Sequence, residues 1–374
     1  MKNVYTTKPK PNNDKRKILG LNGLNHDASA CLLHGTRIMF AGHNERYSGI
    51  KFDEDITKPM IRDIKRYGDW DEVTWFERPL YKKTRQFYAG QYSEVFTRKN
   101  LPSNYLKQFG IKPDVYIDHH LSHAAASYFT SPYKESVGVM IDAIGEWETA
   151  TIWYIKTHED GSTTFEKRWS QEYPHSLGLW YSAMTQRLGL KPQEDEYILM
   201  GMAGWGKPNK KLQDEIRMSF FTGENLLEFS QNLHRGCMDW DSYSYPDDGT
   251  DQWKFDLAHA VQTVCEEQIM EVFYKAEELV PETRNCVYGG GVALNCVPNP
   301  GDGGSSLGSA AFHLGEHIDW YNTFTGYDIF GNYPTKELLK ELLDGKIVGV
   351  ASGRAEFGPR ALGNRTLMAD PRGD

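Results

Sequence analysis

A short apolar run begins at Ile18, stops at the polar turn Asn25-His26-Asp27, and resumes twice more before Glu45 with a break at His34-Gly35. Short apolar runs separated by such turns predict three strands joined by two hairpin-like connections. The same rhythm returns over residues 135–156, where the break is Asp142-Ala143-Ile144-Gly145-Glu146. That recurrence predicts two lobes of related design. Elsewhere the period lengthens to that of a helix over residues 59–67, 103–109, 176–188, 308–314 and 336–343. The longest such stretch is 253–280, with Leu257, Val261, Val264, Ile269 and Val272 on one face. Short strands are predicted at 114–117, 285–288 and 346–352, and residues 75–97 read as an aromatic, basic loop and helix. Residues 1–17 lack an apolar period and are expected to be a mobile basic arm. The expected class is α/β with lobes at 18–134 and 135–321, then a linker at 321–334 that leads into a small α/β unit over the rest of 322–374.

Three imidazoles punctuate this pattern. His119, His120 and His123 follow a predicted strand at the mouth of a predicted helix, so His119 and His123 fall at i and i+4 on one helical face. Two imidazoles so placed can bind one ion. With Asp142 and Asp302 they make a set suited to Fe(II), Mn(II) or Zn(II), while a satisfied polar histidine or a capping aspartate is the plain reading of each residue alone. His26, followed by Asp27, is a candidate general base, and a histidine that merely bonds its turn is the alternative.

Anion contacts are expected at two further places. A strand runs into Gly289, Gly290 and Gly291 and then a helix beginning near Asn295, an arrangement that brings backbone amides close to a ligand. A tight turn explains it equally. Combined with the turns at Asn25-His26-Asp27 and around Gly145, it fits a nucleotide cleft of the actin-like, ASKHA type. Arg354, Arg360 and Arg365 lie among Gly and Pro turns, where guanidinium groups can hold phosphate or carboxylate oxygens; a solvated basic patch is the alternative. Trp75, Phe76, Tyr81, Phe87, Tyr88 and Tyr92 could stack on sugar faces, with ordinary packing the heavier reading.

Composition narrows the partners. At 374 residues with 39% hydrophobic content, the chain exceeds the ~250–300 residues at which one core usually stops growing. A formal charge of −9 argues against a general nucleic-acid or membrane-surface binder and favours small polar substrates. No apolar run is long enough to span a bilayer and the start lacks a secretory leader, so a cytoplasmic location is expected. Five widely spaced cysteines without a CxxC pair read as reduced thiols used for packing.

The segments NHDASACL, ERYSGIKFD, DHHLSHAAASYFTSP, IDAIGEWETATIW, HSLGLWYSAMTQRLGL, EDEYILMGMAGWG, GGGVALNC, PGDGGSSLGSA and EFGPRALGNRTLMADPR together resemble the O-carbamoyltransferases of the nodulation and antibiotic-tailoring type. They run in family order from about residue 18 to the end. The resemblance implies an actin-like domain similar to the threonylcarbamoyl transferase of tRNA modification, followed by a carbamoyl-adenylate-forming domain. It implies that ATP and carbamoyl phosphate give carbamoyl adenylate, whose carbonyl an acceptor hydroxyl attacks with loss of AMP. On this resemblance His119, His123, Asp142 and Asp302 hold a divalent ion, expected to be iron, and His26 with Asp27 is the base. Gly289, Gly290, Gly291, Asn295 and Gly145 contact the nucleotide, Arg354, Arg360 and Arg365 the carbamoyl phosphate, and His120 stands behind the ligands. The implied partner is a small hydroxyl-bearing or sugar-like acceptor, with no nucleic acid and no membrane, and a homodimer is admitted.

Three departures from the family stand out. The strand and helix that usually separate the VALN and PGDGG segments are missing after Cys296-Val297, a loss of roughly twenty residues or more by typical element lengths. Asp302 lies directly beside this deletion. The sequence also stops at Asp374, where the family's smaller domain continues, and Ile198 stands where a lysine is usual. The alternative function these departures motivate is a nucleotide- or metal-binding remnant, or a partner of a full-length homologue.

Overall fold

The computed structural model describes residues 3–295, 301–358 and 362–369. The chain forms two compact units, one made of Thr7–Pro79, Gln91–Ser131 and Pro298–Asp374, the other of Met1–Thr6, Leu80–Gly90 and Pro132–Val297. The first therefore takes back the chain after residue 297, whereas the sequence pattern carried one lobe from 135 to 321.

In the first unit a five-stranded sheet has the order Arg37–His43, Ser29–His34, Lys17–Asn22, Glu72–Trp75, Val115–Tyr116. The first three strands are the anticipated antiparallel meander, with Ile18 opposite Leu33 and Leu21 opposite Ala30; the last two join in parallel. The Lys17–Asn22 strand is buried on both faces because Ile18, Leu19 and Leu21 supply apolar side chains to each. The helix Asp302–Leu314 packs on it and on Ser29–His34. Gly20 makes this approach possible, since a Cβ there would sit 1.8 Å from the Ser306 carbonyl oxygen. Trp75 and Phe76, which the sequence offered as sugar platforms, are fully buried in this core. Their apolar rings contribute more by leaving water than by facing a ligand.

The second unit repeats part of the plan. Its sheet order is Val4–Thr7, Thr163–Glu172, Glu148–Thr157, Glu135–Gly145, Cys286–Gly289, in which the middle three strands form an antiparallel meander, Cys286–Gly289 joins in parallel and Val4–Thr7 adds an edge. Val137, Val139 and Ile141 point from it into a core shared with Leu177, Trp180 and the long helix Asp251–Leu279 through Leu257, Val261 and Val264. The Thr163–Glu172 strand escaped the pattern because Lys167 occupies an inward position. It is buried and ion-paired with Glu148 of the neighbouring strand. The helices Glu196–Ala203 and Lys210–Phe220 were likewise not anticipated.

Two stretches expected to be irregular contain strands. Val4–Thr7 forms the edge of the second unit's sheet, where the Lys167 N–H donates to the Asn3 carbonyl, so the N-terminal arm is anchored by ladder hydrogen bonds. Within the expected linker, Phe324–Ile329 pairs antiparallel with Gly353–Glu356. Thr325 Oγ1 donates to the Ala41 carbonyl, which joins this ribbon to the first unit. A second ribbon pairs Val348–Ala351 with Arg365–Met368. Cys31, Cys237 and Cys265 are buried free thiols, as their spacing implied; Cys296 lies outside the described residues.

Candidate metal centre

Two helices of the first unit begin at one place. His119–Phe129 starts just after the Val115–Tyr116 strand, with His119 its first residue and His123 one turn later. Their Nε2 atoms are 3.1 Å apart, as the i, i+4 spacing demands of rings turned to one side. The helix Asp302–Leu314 starts at Asp302, after Gly301 in extended conformation. Asp302 Oδ1 stands 3.1 Å from His119 Nε2 and 3.3 Å from His123 Nε2. Small residues bring the helices together: a Cβ on Gly308 would lie 1.9 Å from the Ser122 carbonyl oxygen. Both helix N-termini therefore turn backbone N–H groups and positive dipole ends to the same neighbourhood.

The three side chains are essentially excluded from water, at 1% exposure each. A buried carboxylate against two imidazoles is costly unless positive charge offsets it. The spacing is what a bound ion requires. Ligand bonds of ~2.0–2.2 Å in tetrahedral or octahedral geometry put neighbouring ligand atoms ~3.0–3.5 Å apart. Two imidazole nitrogens and one carboxylate oxygen form a borderline donor set that admits Fe(II), Mn(II) or Zn(II). The residues present fit a divalent ion.

Further contacts hold the ligands in place. The Phe76 ring packs against His119 at 5.1 Å between centroids, Glu77 Oε2 lies 4.0 Å from His119 Nδ1, and Ser305 Oγ is 3.4 Å from His123 Nδ1. His120 is buried on the same helix, its ring 6.2 Å from that of His123.

The predicted base lies beside them. Asn25, His26 and Asp27 occupy the turn between Lys17–Asn22 and Ser29–His34, where Leu24 and Asp27 adopt left-handed φ values of 64° and 57°. Such backbone is strained for leucine and is held here by the Leu24 N–H on the Glu54 carbonyl and the Ala28 N–H on Asp53. His26 Nδ1 is 3.0 Å from Asp27 Oδ2, and His26 Nε2 is 3.8 Å from Asp302 Oδ2. Burial would raise the Asp27 pKa, but the hydrogen bond and charge of His26, with help from His43, hold it below the ordinary aspartate value. Asp27 thus stays ionised and fixes the imidazole orientation.

Asn22 and Asn25 complete this corner. Asn22, fully buried, donates through Nδ2 to the carbonyls of both Asp27 and Asp302, while Asn25 Nδ2 donates to Asp302 Oδ2 at 3.0 Å. The sequence pattern marked Asn25 only as part of a polar turn. Nothing local connects it to Asp302.

In the second unit, Asp142 Oδ1 accepts the N–H groups of Ala143 at 2.8 Å and Gly291 at 3.1 Å. The neighbouring glycines have a packing role: Gly290, at φ 88°, would place a Cβ 2.2 Å from the Ile141 carbonyl oxygen. Gly289 and Gly145 end the paired strands on either side of this contact, and the Asn295 side chain lies outside the described residues. Arg354 donates to the carbonyls of Met39, Thr325 and Gly326, and Arg365 to those of Ser352, Gly353, Tyr327 and Asn364. These guanidinium groups fasten the C-terminal ribbons, while Arg360 lies outside the described residues. Phe87, Tyr88 and Tyr92 are exposed.

Comparison with known proteins follows the same residues. The family model described as carbamoyltransferase N-terminus matches residues 75–301, and that of the carbamoyltransferase C-terminus matches 339–374. A 3'-hydroxymethylcephem-O-carbamoyltransferase of Amycolatopsis lactamdurans is 30% identical over 393 residues, covering 93% of this chain and 72% of that protein. Nodulation protein NolNO of Sinorhizobium fredii is 25% identical over 419 residues, covering 93% of this chain and 58% of its own. An uncharacterized protein of Synechocystis is 27% identical over 450 residues, covering 95% of this chain and 71% of that one. This last alignment is longer than the 374-residue chain, so the relative carries internal sequence without a counterpart here. Among solved structures, HypF of T. kodakarensis superposes with a TM-score of 0.38 at 11% identity, over 82% of this chain and 48% of that one. That likeness is too slight to argue from.

Proposed function

The chain belongs to the carbamoyltransferase family, and we propose that it transfers a carbamoyl group to the hydroxyl of a small or sugar-like acceptor. The observation that carries this reading is the buried convergence of His119, His123 and Asp302 beside the His26-Asp27 pair. Two helix N-termini at the same spot favour an anionic group, as a phosphate leaving group would be. Each unit's sheet holds a three-stranded antiparallel meander with a parallel strand beside its first strand, and this shared feature supports a duplicated, actin-like ancestry.

In the transfer step, Asp27 accepts the His26 Nδ1–H and leaves Nε2 to take the proton of the acceptor alcohol. The alcohol oxygen then bonds to the carbamoyl carbon, the bond from that carbon to the phosphate oxygen breaks, and AMP departs with the electron pair. Asp27 stabilises the imidazolium so formed. When bound by His119, His123 and Asp302, a divalent ion supplies Lewis-acid stabilisation of the charge on the leaving phosphate. Asp142 is proposed as a further ligand on the resemblance. Its two backbone hydrogen bonds fix the orientation of its carboxylate.

The preceding step, in which ATP and carbamoyl phosphate give carbamoyl adenylate, is proposed on the family alone. Its candidate contacts are Gly145, Gly289, Gly290 and Gly291 in one unit and Arg354 and Arg365 in the other. Incubating the protein with Fe(II), an acceptor panel and preformed carbamoyl adenylate tests transfer; ATP with carbamoyl phosphate, followed by pyrophosphate release, tests formation of the adenylate. Carbamoylated product in the first assay supports the reading. A folded, metal-loaded sample inert in both refutes it.

A further inference from the structure

We infer that Asn25 is a positioning residue that sets how Asp302 meets a metal ion, an inference that rests on the metal-site reading above. The two oxygens of Asp302 have divided surroundings. Oδ1 faces the Nε2 atoms of His119 and His123, whereas Oδ2 accepts the Asn25 Nδ2–H at 3.0 Å and lies 3.8 Å from His26 Nε2. Asn22 fixes the backbone of the same residue through the Asp302 carbonyl. With the main chain held by Asn22, the Asp302 side chain still turns about χ1 and χ2, and the Asn25 hydrogen bond restrains these turns.

The consequence is a ligand that offers one oxygen. A lone pair engaged by an N–H is a weaker donor to a cation, so Asp302 binds through Oδ1 and keeps Oδ2 on the side of the base turn. Loss of the Asn25 amide removes this hold on Oδ2 and lets the carboxylate turn, which changes the coordination. Asn25 thereby ties the turn that carries His26 to the helix that carries Asp302, and both stay in register within one unit.

The test uses Co(II) alone, whose visible absorption reports coordination number and geometry, on the full chain stripped of metal. Asn25→Ala is expected to bind Co(II) ~10- to 100-fold more weakly, the range usual for losing a partner of a metal ligand. Its Co(II) spectrum should shift, and its metal-free unfolding midpoint should match the wild type. A purely structural role would lower that midpoint and leave the spectrum of the bound ion unchanged. Should Asn25→Ala lose its cooperative unfolding transition, Asn25→Ser, which keeps a shorter donor, is judged by the same criteria. Equal affinity and an identical spectrum in the variant overturn the inference while the metal site stands. A folded wild type that takes up no Co(II) overturns both.

Discussion

Asp302 Oδ1 sits 3.1 Å from His119 Nε2, although the two residues lie far apart along the chain. The contact stands because the Asp302 helix is fastened at several points. Asn22 holds the Asp302 carbonyl, Ser29 Oγ donates to the Gly303 carbonyl, and Gly20 and Gly308 admit close backbone approach.

Removing a ligand should separate metal binding from stability. Asp302→Asn, His119→Ala and His123→Ala are each expected to weaken divalent-metal affinity by at least ~100-fold, measured by calorimetric titration or metal analysis after dialysis. For Asp302→Asn the metal-free protein should be no less stable than wild type, because the change removes a buried charge among imidazoles. A large drop in its metal-free unfolding midpoint would show that the carboxylate is structural.

Metal should also stabilise the folded chain by mass action. A free ion at a hundred times its dissociation constant adds ~2.7 kcal/mol, and a chelator should reverse the gain. Thermal unfolding with and without Fe(II), Mn(II) and Zn(II) ranks the ions. Unchanged midpoints with all three would count against the site.

His26→Ala should lower the rate of carbamoyl transfer by ~10²- to 10⁴-fold with little change in KM for the acceptor, as expected for loss of a general base. Asp27→Asn should fall in the same direction, since it removes the ionised partner that orients the ring. A KM effect without a rate effect would reassign His26 to acceptor binding.

Gly308→Ala sets two effects against each other. Helix propensity alone would make alanine ~1 kcal/mol more stable, whereas a Cβ 1.9 Å from the Ser122 carbonyl oxygen forces the two site helices apart. Overpacking of this kind typically costs ~1–3 kcal/mol, so a net loss is expected in denaturant titration. A more stable variant would mean that the helices are not packed through Gly308.

Glu215 offers a pH test away from the site. Its buried carboxylate accepts the Tyr243 and Ser244 N–H groups and the hydroxyls of Ser242 and Ser244. Burial acts to raise its pKa, but these donors hold it below the ordinary glutamate value. A depressed folded-state pKa contributes stability above the unfolded value, and that contribution disappears as pH falls through the folded one. Glu215→Gln should therefore destabilise the protein at neutral pH by ~1–3 kcal/mol and flatten the acid limb of its stability curve. Equal pH profiles for the two proteins would refute this.

Much of the fold was legible because it is periodic. Apolar runs bounded by polar turns exposed the two meanders, and 3.6-residue spacing exposed the long Asp251–Leu279 helix and the shared face of His119 and His123. Where local chemistry broke the period, the pattern went silent. Lys167 hid a strand by pairing with Glu148, and polar, glycine-bearing residues hid the Phe324–Ile329 strand in an expected linker.

The sequence by itself determined the paired histidines, the His26-Asp27 turn and the family, since each is written in neighbouring residues or in the order of motifs. Only the tertiary structure decided that Asn25 holds the second oxygen of Asp302, and that Arg354 and Arg365 fasten backbone carbonyls. Each of these contacts joins residues distant along the chain. Their partners are chosen by how helices and strands pack, and packing is set by the shapes of many side chains at once.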